Sequence, residues 1–151
     1  MWRARVSVSV TLAAMIAVLS AAACGNGTAP SEELAAARSR WQRSGPASYT
    51  VTIRISCECT QEMAGPVVVT VRNGTVESRS YVPSGAAVAS QYLASFPAVE
   101  GLFALIEKAM RDGTKPLVAH YHPSLGYPTR IELGDPAVDA PMYLVSDLQP
   151  R

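Results

Sequence analysis

Two kinds of hydrophobic spacing divide this chain into strands and helices. Between Tyr49 and Cys59 every second residue is apolar or cysteine and the residues between them are polar, which predicts a half-buried strand. Between Val99 and Arg111 the apolar residues recur every three or four positions, which predicts a helix with one buried face. Gly113 is suited to end that helix, because glycine readily adopts the left-handed conformation that follows a last turn.

An earlier helix is predicted from Ser31 onward. Ser31 can cap its first turn, and the two glutamates that follow complement the positive end of the helix dipole. Leu34, Ala37 and Trp41 then fall on one face, which we expect to be buried. Gly45 and the proline after it end the helix.

Asn73-Gly74 predicts the first hairpin, because both turn residues tolerate the positive φ angles of a two-residue turn. Its strands are predicted over residues 67–72 and 75–82. The turn sets two cross-strand pairs, Val71 with Val76 and Thr70 with Glu77.

Three further strands are predicted over residues 117–122, 129–133 and 142–148. Residues 83–97 and 134–141 read as connections. The order is therefore helix, three strands, helix, three strands. Because short loops favour antiparallel neighbours, the predicted fold is α+β: an antiparallel sheet of about six strands with two helices on one side.

The N-terminus has the pattern of a secretory signal peptide. Two arginines precede an uncharged apolar run, and small residues lead directly into Cys24. A cysteine at this position predicts a lipoprotein. The domain organisation is then a signal peptide over residues 1–23, a tether over 24–30 that is lipidated at Cys24, and a single α+β domain over 31–151.

Two alternatives for the N-terminus stay open. Ala21 stands three residues before Cys24, where a lipobox usually has Leu, Val or Ile, and an ordinary signal peptidase would also cut here and leave Cys24 without lipid. The apolar run is also just long enough to act as an uncleaved membrane anchor.

Charge narrows the range of partners. The 151-residue chain has a formal net charge of +1, which becomes −1 once Arg3 and Arg5 are removed with the signal peptide. The absence of a basic patch argues against nucleic acid as a partner. We expect membrane contact only through the lipid, with the domain facing the periplasm or the extracellular side. The partner, an envelope protein or a small ligand, is not specified.

Assigning Cys24 to the lipid leaves Cys57 and Cys59 as a pair, which predicts a disulfide in an oxidising compartment. Alternate side chains of a strand lie about 6.5–7 Å apart, whereas disulfide Cβ atoms lie about 3.5–4.5 Å apart, so the strand must bend there. The pair could be a structural staple, a redox pair whose thiol pKa is lowered by Arg54 or Arg72, or a two-thiolate metal ligand.

His120 and His122 are candidate metal ligands, because alternate residues of a strand share a face. Asp135, Asp139 or Glu132 would have to supply a third ligand. The other interpretation is a pair of polar residues on the solvent face. Since no full ligand set can be read, neither a metal nor any other cofactor is predicted.

Gly126, Tyr127 and Pro128 predict a turn with unusual backbone angles at the glycine. Tyr127 would then either close the core as a lid or form an exposed aromatic recognition surface. Ser124 and His122 do not constitute a catalytic pair, because nothing orients a base and no nucleophile elbow is present. No enzymatic activity is predicted.

Several of these features occur together in one order along the chain. They are Trp41, Tyr49, Cys57-x-Cys59, Asn73-Gly74, Val99-x-x-Leu102-Phe103-x-x-Ile106, Tyr121-x-Pro123 and Gly126-Tyr127-Pro128. From about Trp41 to Leu148 the chain resembles a family of small secreted bacterial proteins, often lipoproteins, known as domain of unknown function 6174. The resemblance implies an envelope location and an α+β domain, and it implies no established activity.

The chain departs from that family at two places. His122 stands where the family tends to have aspartate, and the acidic cluster before the last strand is reduced to Asp135 and Asp139. If those acids bind a cation in relatives, this chain has a weaker site.

The sequence therefore predicts a cell-envelope lipoprotein of unknown molecular function that acts as a non-enzymatic binding or structural module. The alternative is a thiol–disulfide or metal-handling envelope protein that uses Cys57-x-Cys59.

Overall fold

The computed structural model describes residues 30–151, which are built around one antiparallel sheet. The predicted signal peptide, Cys24 and nearly all of the tether lie outside the described residues. The elements in chain order are α1 (Pro30–Ser44), β1 (Tyr49–Ser56), α2 (Gln61–Ala64), β2 (Val67–Arg72), β3 (Thr75–Tyr81), α3 (Val99–Arg111), β4 (Leu117–Tyr121), β5 (Pro128–Leu133) and β6 (Met142–Pro150). Two 3₁₀ helices, Ser90–Ser95 and Pro136–Val138, lie in the connections before α3 and before β6. None of the helices in this part of the chain is long and apolar enough to cross a membrane.

The six strands lie in the order β3-β2-β1-β6-β5-β4, and all neighbouring pairs are antiparallel. Strands β1 to β3 form one meander and β4 to β6 form another, and pairing of β1 with β6 joins the two at the centre. This confirms the α+β class, the six-stranded antiparallel sheet and the alternation of helices with strand triplets. The one-turn helix α2 and the two 3₁₀ helices are additional to the two predicted helices.

Helices α1 and α3 cover the same face of the sheet. Their apolar stripes and the alternate residues of the central strands belong to one buried cluster. The intervening residues of β1 are exposed or half-buried, so the opposite face of the sheet carries mostly polar side chains. The largest fully buried side chains are Tyr49, Phe96, Phe103, Ile53, Leu102, Ile106 and Ile131.

Strand β1 is shorter than its alternation predicts. The pattern continues to Cys59, whereas the strand ends at Ser56 and the chain then turns into α2. A disulfide joins Cys57 to Cys59 and holds their Cα atoms 5.2 Å apart. That distance is below the spacing of about 6.5–7 Å between alternate residues of a strand, so these two cysteines cannot both belong to an extended segment.

The Asn73-Gly74 turn is confirmed, since both residues have positive φ angles. The predicted pair of Val71 with Val76 is also present, but Thr70 pairs with Ser78 and not with Glu77. A bulge accounts for the difference, because it inserts Glu77 into β3 without a partner in β2.

A cluster of hydrogen bonds joins α1, β1 and the start of α3. Trp41 Nε1 donates to Glu100 Oε1 at 2.8 Å, and the Tyr49 hydroxyl donates to Glu100 Oε2 at 3.3 Å. The same hydroxyl accepts the backbone N–H of Val99 at 3.0 Å, which satisfies a free donor at the helix N-terminus. Burial raises the pKa of Tyr49, so the phenol stays protonated and can serve as both donor and acceptor.

Candidate functional site: a cleft beside the disulfide

The disulfide between Cys57 and Cys59 lies at the end of the sheet where β1 leaves it. Cys57 is half-buried and packs against the core, whereas Glu58 between the two cysteines is exposed. The bent geometry is the one that the staple hypothesis requires. Glu58 is thereby held at the tip of a closed turn.

The β5–β6 loop, residues 134–141, lies against this turn. Asp139 Oδ1 accepts a hydrogen bond from the backbone N–H of Glu58. Within the loop, Asp135 Oδ1 accepts the backbone N–H of Ala137 at 2.9 Å and caps the 3₁₀ helix. Asp135 and Asp139 therefore both bind backbone groups: Asp135 shapes the loop, and Asp139 fastens it to the disulfide turn.

Between the turn and the loop is a cleft of about 530 Å³. Its walls combine apolar and charged side chains. The residues that line it are Ser56, Cys57, Glu58, Arg130, Glu132, Leu133, Gly134, Ala137, Val138, Asp139, Ala140 and Met142. Val138 is 75% exposed and contributes an apolar side chain to the lining.

Strand register explains why the cleft forms here. Ser56 pairs with Met142 across β1 and β6, and Met142 pairs with Glu132 across β6 and β5. These three residues form one row across the sheet, directly next to the disulfide turn and the loop. The sheet therefore forms the floor of the cleft, and the turn and loop form its sides.

The charges of the cleft are unevenly matched. Arg130 Nε donates to Glu132 Oε1 at 2.6 Å, so this pair is internally neutralised. Glu58 and Asp139 have no ion pair among residues 30–151. The cleft consequently carries an excess of negative charge beside an apolar patch that includes Val138.

The two histidines are not at the cleft. His120 is exposed on β4, opposite Arg130 of β5. His122 lies in the β4–β5 turn, where its Nδ1 accepts the backbone N–H of Leu125 at 3.1 Å. This bond helps to hold the turn between the two strands.

The candidate metal ligands are far apart. His122 precedes β5 and Asp135 follows it, and the six residues of that strand span about 20 Å. In residues 30–151 no three His, Cys, Asp or Glu side chains are gathered in a way that could hold an ion. His120, His122 and Asp135 are therefore not brought together.

Gly126, Tyr127 and Pro128 are all buried. The Tyr127 ring lies edge-on to Trp41 of α1, with centroids 6.1 Å apart, and stacks on His122 at 4.9 Å. The alternative of an exposed aromatic recognition surface is wrong, because Tyr127 is only 7% exposed and closes the core beneath α1.

Gly126 permits this closure. Its φ angle is +83°, and a Cβ placed on it would collide with the carbonyl oxygen of Ala37 and lie 2.8 Å from Arg40 Cβ. Only a residue without a Cβ lets the β4–β5 turn approach the α1 backbone so closely. The Gly126-Tyr127-Pro128 motif is thus a docking point for α1.

Sequence reasoning identified the cysteines and the two loop acids but missed the cleft that joins them. No sequence motif singled out Glu58, Arg130 or Val138 as candidate site residues. The pairing of the last strand with the first was the missing information, since it places the β5–β6 loop beside the end of β1.

Comparison with known proteins gives a family and no activity. The model of the family of unknown function DUF6174 matches residues 33–150. Because that match covers most of the chain, the chain belongs to this family. Neither a curated protein nor a solved structure matches it significantly.

Proposed function

We propose that this chain is a cell-envelope lipoprotein whose domain binds a ligand, without catalysing a reaction, in the cleft beside the Cys57–Cys59 disulfide. The observation that carries the proposal is the cleft itself. The disulfide closes the turn that forms one side of the cleft, and the bond from Glu58 N–H to Asp139 joins this turn to the loop that forms the other side. Preorganised walls reduce the entropy that a ligand must lose on binding.

The disulfide supports the proposed compartment. Structural disulfides persist in secreted and envelope proteins and are rare where thiols are kept reduced. Cys57 and Cys59 are paired, and the remaining cysteine, Cys24, follows the small residues of a signal peptide. An envelope location with lipid on Cys24 is consistent with both facts.

The lining of the cleft favours an amphipathic ligand. An apolar group would cover Val138 and Met142, and hydrogen-bond donors or a positive charge would meet Glu58 and Asp139. A basic or amide-bearing segment of an envelope protein has this chemistry, as does a small cationic molecule. A strongly anionic ligand does not suit this surface.

The anchor is tested by mass spectrometry of the mature N-terminus isolated from membranes. A peptide that begins at Cys24 with the added mass of acyl chains is expected. An unmodified N-terminal Cys24 or an intact Met1 would contradict the lipid anchor, and neither result would affect the assignment of the cleft.

Binding is tested with a variant that fills the cleft. Val138→Trp places an indole at the mouth, and Val82→Trp places one at a site 51% exposed and outside the cleft lining. Wild type and Val82→Trp should retain the same ligand from envelope extracts, and Val138→Trp should lose it. Equal retention by all three would refute the cleft. Catalysed exchange between the domain and a small disulfide would instead support the thiol–disulfide alternative.

A further inference from the structure

The two edge strands of the sheet differ in whether their outward-facing backbone groups are hydrogen-bonded. At the β3 edge, Tyr81 N–H donates to Ala86 O at 2.9 Å and Val88 N–H donates to Arg79 O at 3.0 Å. The following segment therefore covers the second half of this edge. At the other edge, β4 pairs only with β5 within residues 30–151. An uncovered edge strand is a template for further strand pairing.

The backbone groups that β4 presents can be identified from its bonds. Gly134 N–H donates to Pro116 O, and His122 N–H donates to Tyr127 O, so residues 116 and 122 face β5. Because direction alternates along a strand, residues 118 and 120 also face β5. Leu117, Ala119 and Tyr121 point their N–H and C=O groups to the open edge.

Helix α1 lines a groove along this edge. Pro30 borders the groove near Leu117, and Arg40 borders it near Tyr121, so α1 runs in the same direction as β4. Contact between Arg40 and the β4–β5 turn at Gly126 supports the same orientation.

Three α1 side chains face the groove, namely Glu33, Ala36 and Arg40. They are three and four residues apart and therefore share one side of the helix. Arg40 Nε is buried and has no hydrogen-bond partner among the described residues. An unpaired buried donor is costly, so the described residues leave a polar group of Arg40 unsatisfied on this side of α1.

We propose that two copies of this chain form a dimer by antiparallel pairing of their β4 strands about a two-fold axis at Ala119. In this register Ala119 pairs with the partner's Ala119, and Leu117 pairs with the partner's Tyr121. These are the residues whose backbone groups point outward, so all of these groups are satisfied. Pro123 is the next residue after Tyr121 that would face the open edge, and it limits the length of the paired segment because proline cannot donate.

Charge complementarity selects a second copy as the occupant. The two-fold axis makes the α1 helices antiparallel and places Glu33 opposite the partner's Arg40, and Arg40 opposite the partner's Glu33. Ala36 lies midway between these two positions and leaves room for the helices to approach. An isologous interface requires this arrangement, in which one surface is complementary to itself.

The dimer would join two sheets into one of twelve strands, six from each copy, with the helices of both on the same side. The disulfide cleft is formed by β1, β5 and β6 and does not include residues of the β4 edge. Dimerisation is therefore independent of the proposed ligand site.

Charge reversal tests the pairing in the full-length protein, purified in detergent and examined by sedimentation equilibrium. Wild type should be dimeric. Glu33→Lys and Arg40→Glu should each raise the dimer dissociation constant by about tenfold or more, because each replaces an attraction by a repulsion. The double variant should restore the wild-type constant to within about threefold, because the reversed charges attract again. Circular dichroism of each variant controls for folding.

Cysteine cross-linking in membranes gives a second readout. Ala119→Cys should form an intermolecular disulfide, because paired Cα atoms lie about 5.5 Å apart in an antiparallel ladder, within the range for a disulfide. Ser78→Cys, on the opposite edge strand β3, should not. A monomeric wild type, or a dimer that none of these substitutions affects, would overturn the proposal. A monomer that binds an added peptide along β4 would overturn it in favour of a different partner.

Discussion

Substitution of Gly126 by alanine tests the docking of α1 onto the β4–β5 turn. Gly126 is buried, has a φ angle of +83°, and leaves no room for a Cβ beside the Ala37 carbonyl oxygen and Arg40 Cβ. Ala37 is itself fully buried, so the α1 backbone cannot yield without moving the helix away from the core. We expect Gly126→Ala to destabilise the fold strongly.

The magnitude has two parts. A left-handed backbone costs a residue with a Cβ about 1–2 kcal/mol, and the reduced entropy of the unfolded chain returns about 0.4–1 kcal/mol of this. Forcing a methyl group into a packed contact costs about 1–3 kcal/mol more. The sum is about 1–5 kcal/mol for Gly126→Ala.

Gly74→Ala is the matched control. Gly74 has a φ angle of +76°, close to that of Gly126, but a Cβ there would have no neighbour within 4 Å. This variant should therefore lose only the backbone part, about 1 kcal/mol. The difference between the two variants measures the contact with α1.

Urea unfolding followed by tryptophan fluorescence is the assay, because Trp41 lies in the helix that Gly126 contacts. For a urea m-value of about 1.5 kcal/mol/M, a loss of 3 kcal/mol lowers the midpoint by roughly 2 M. Equal losses of unfolding free energy in Gly126→Ala and Gly74→Ala would refute the close approach of the β4–β5 turn to α1.

Three further outcomes are expected. Glu100→Leu removes the acceptor of Trp41 Nε1 and should cost about 1–2 kcal/mol in urea unfolding, with Glu100→Gln costing less because its amide oxygen still accepts. Burial raises the pKa of Tyr121 to about 12, so this tyrosine's contribution to stability is complete below pH 10 and should fall as pH rises from 10 to 12, less so in Tyr121→Phe. Replacing Cys57 and Cys59 together by serine should lower stability by only about 1–2 kcal/mol, because the closed loop is very short.

For each of these three expectations, a specific result would contradict the reasoning. Equal stability of the leucine and glutamine variants would show that the Trp41 bond contributes nothing. An unchanged alkaline stability profile in Tyr121→Phe would contradict the burial of that phenol. Unfolding of the double serine variant at ambient temperature would mean that the disulfide supports far more than its own turn.

Local pattern predicted the elements well. The Val99–Arg111 helix and the Asn73-Gly74 turn follow directly from apolar spacing and from turn chemistry. The end of β1 did not, because alternation of residue types continues through Cys59 while the disulfide bends the chain. The bulge at Glu77 was also not predicted, because no residue type marks the position at which an extra residue enters a strand.

The site depends on contacts between distant parts of the chain. Asp139 fastens the loop to Glu58, 81 residues earlier, and nothing local to either residue indicates that bond. Tyr127 had two interpretations, lid or recognition surface, because an aromatic residue in a turn suits both. Its burial against Trp41 decides between them, and that contact joins α1 to the β4–β5 turn.

Photo-cross-linking in living cells tests the binding cleft most directly. A photoreactive amino acid replaces Val138 at the mouth of the cleft, and the same residue replaces Val82 as the exposed control outside its lining. A discrete adduct at position 138 that is lost on replacing Glu58 and Asp139 by their amides, with none at position 82, is the expected result. No adduct at 138, or the same adduct at both positions, would contradict the assignment of this cleft as the binding site.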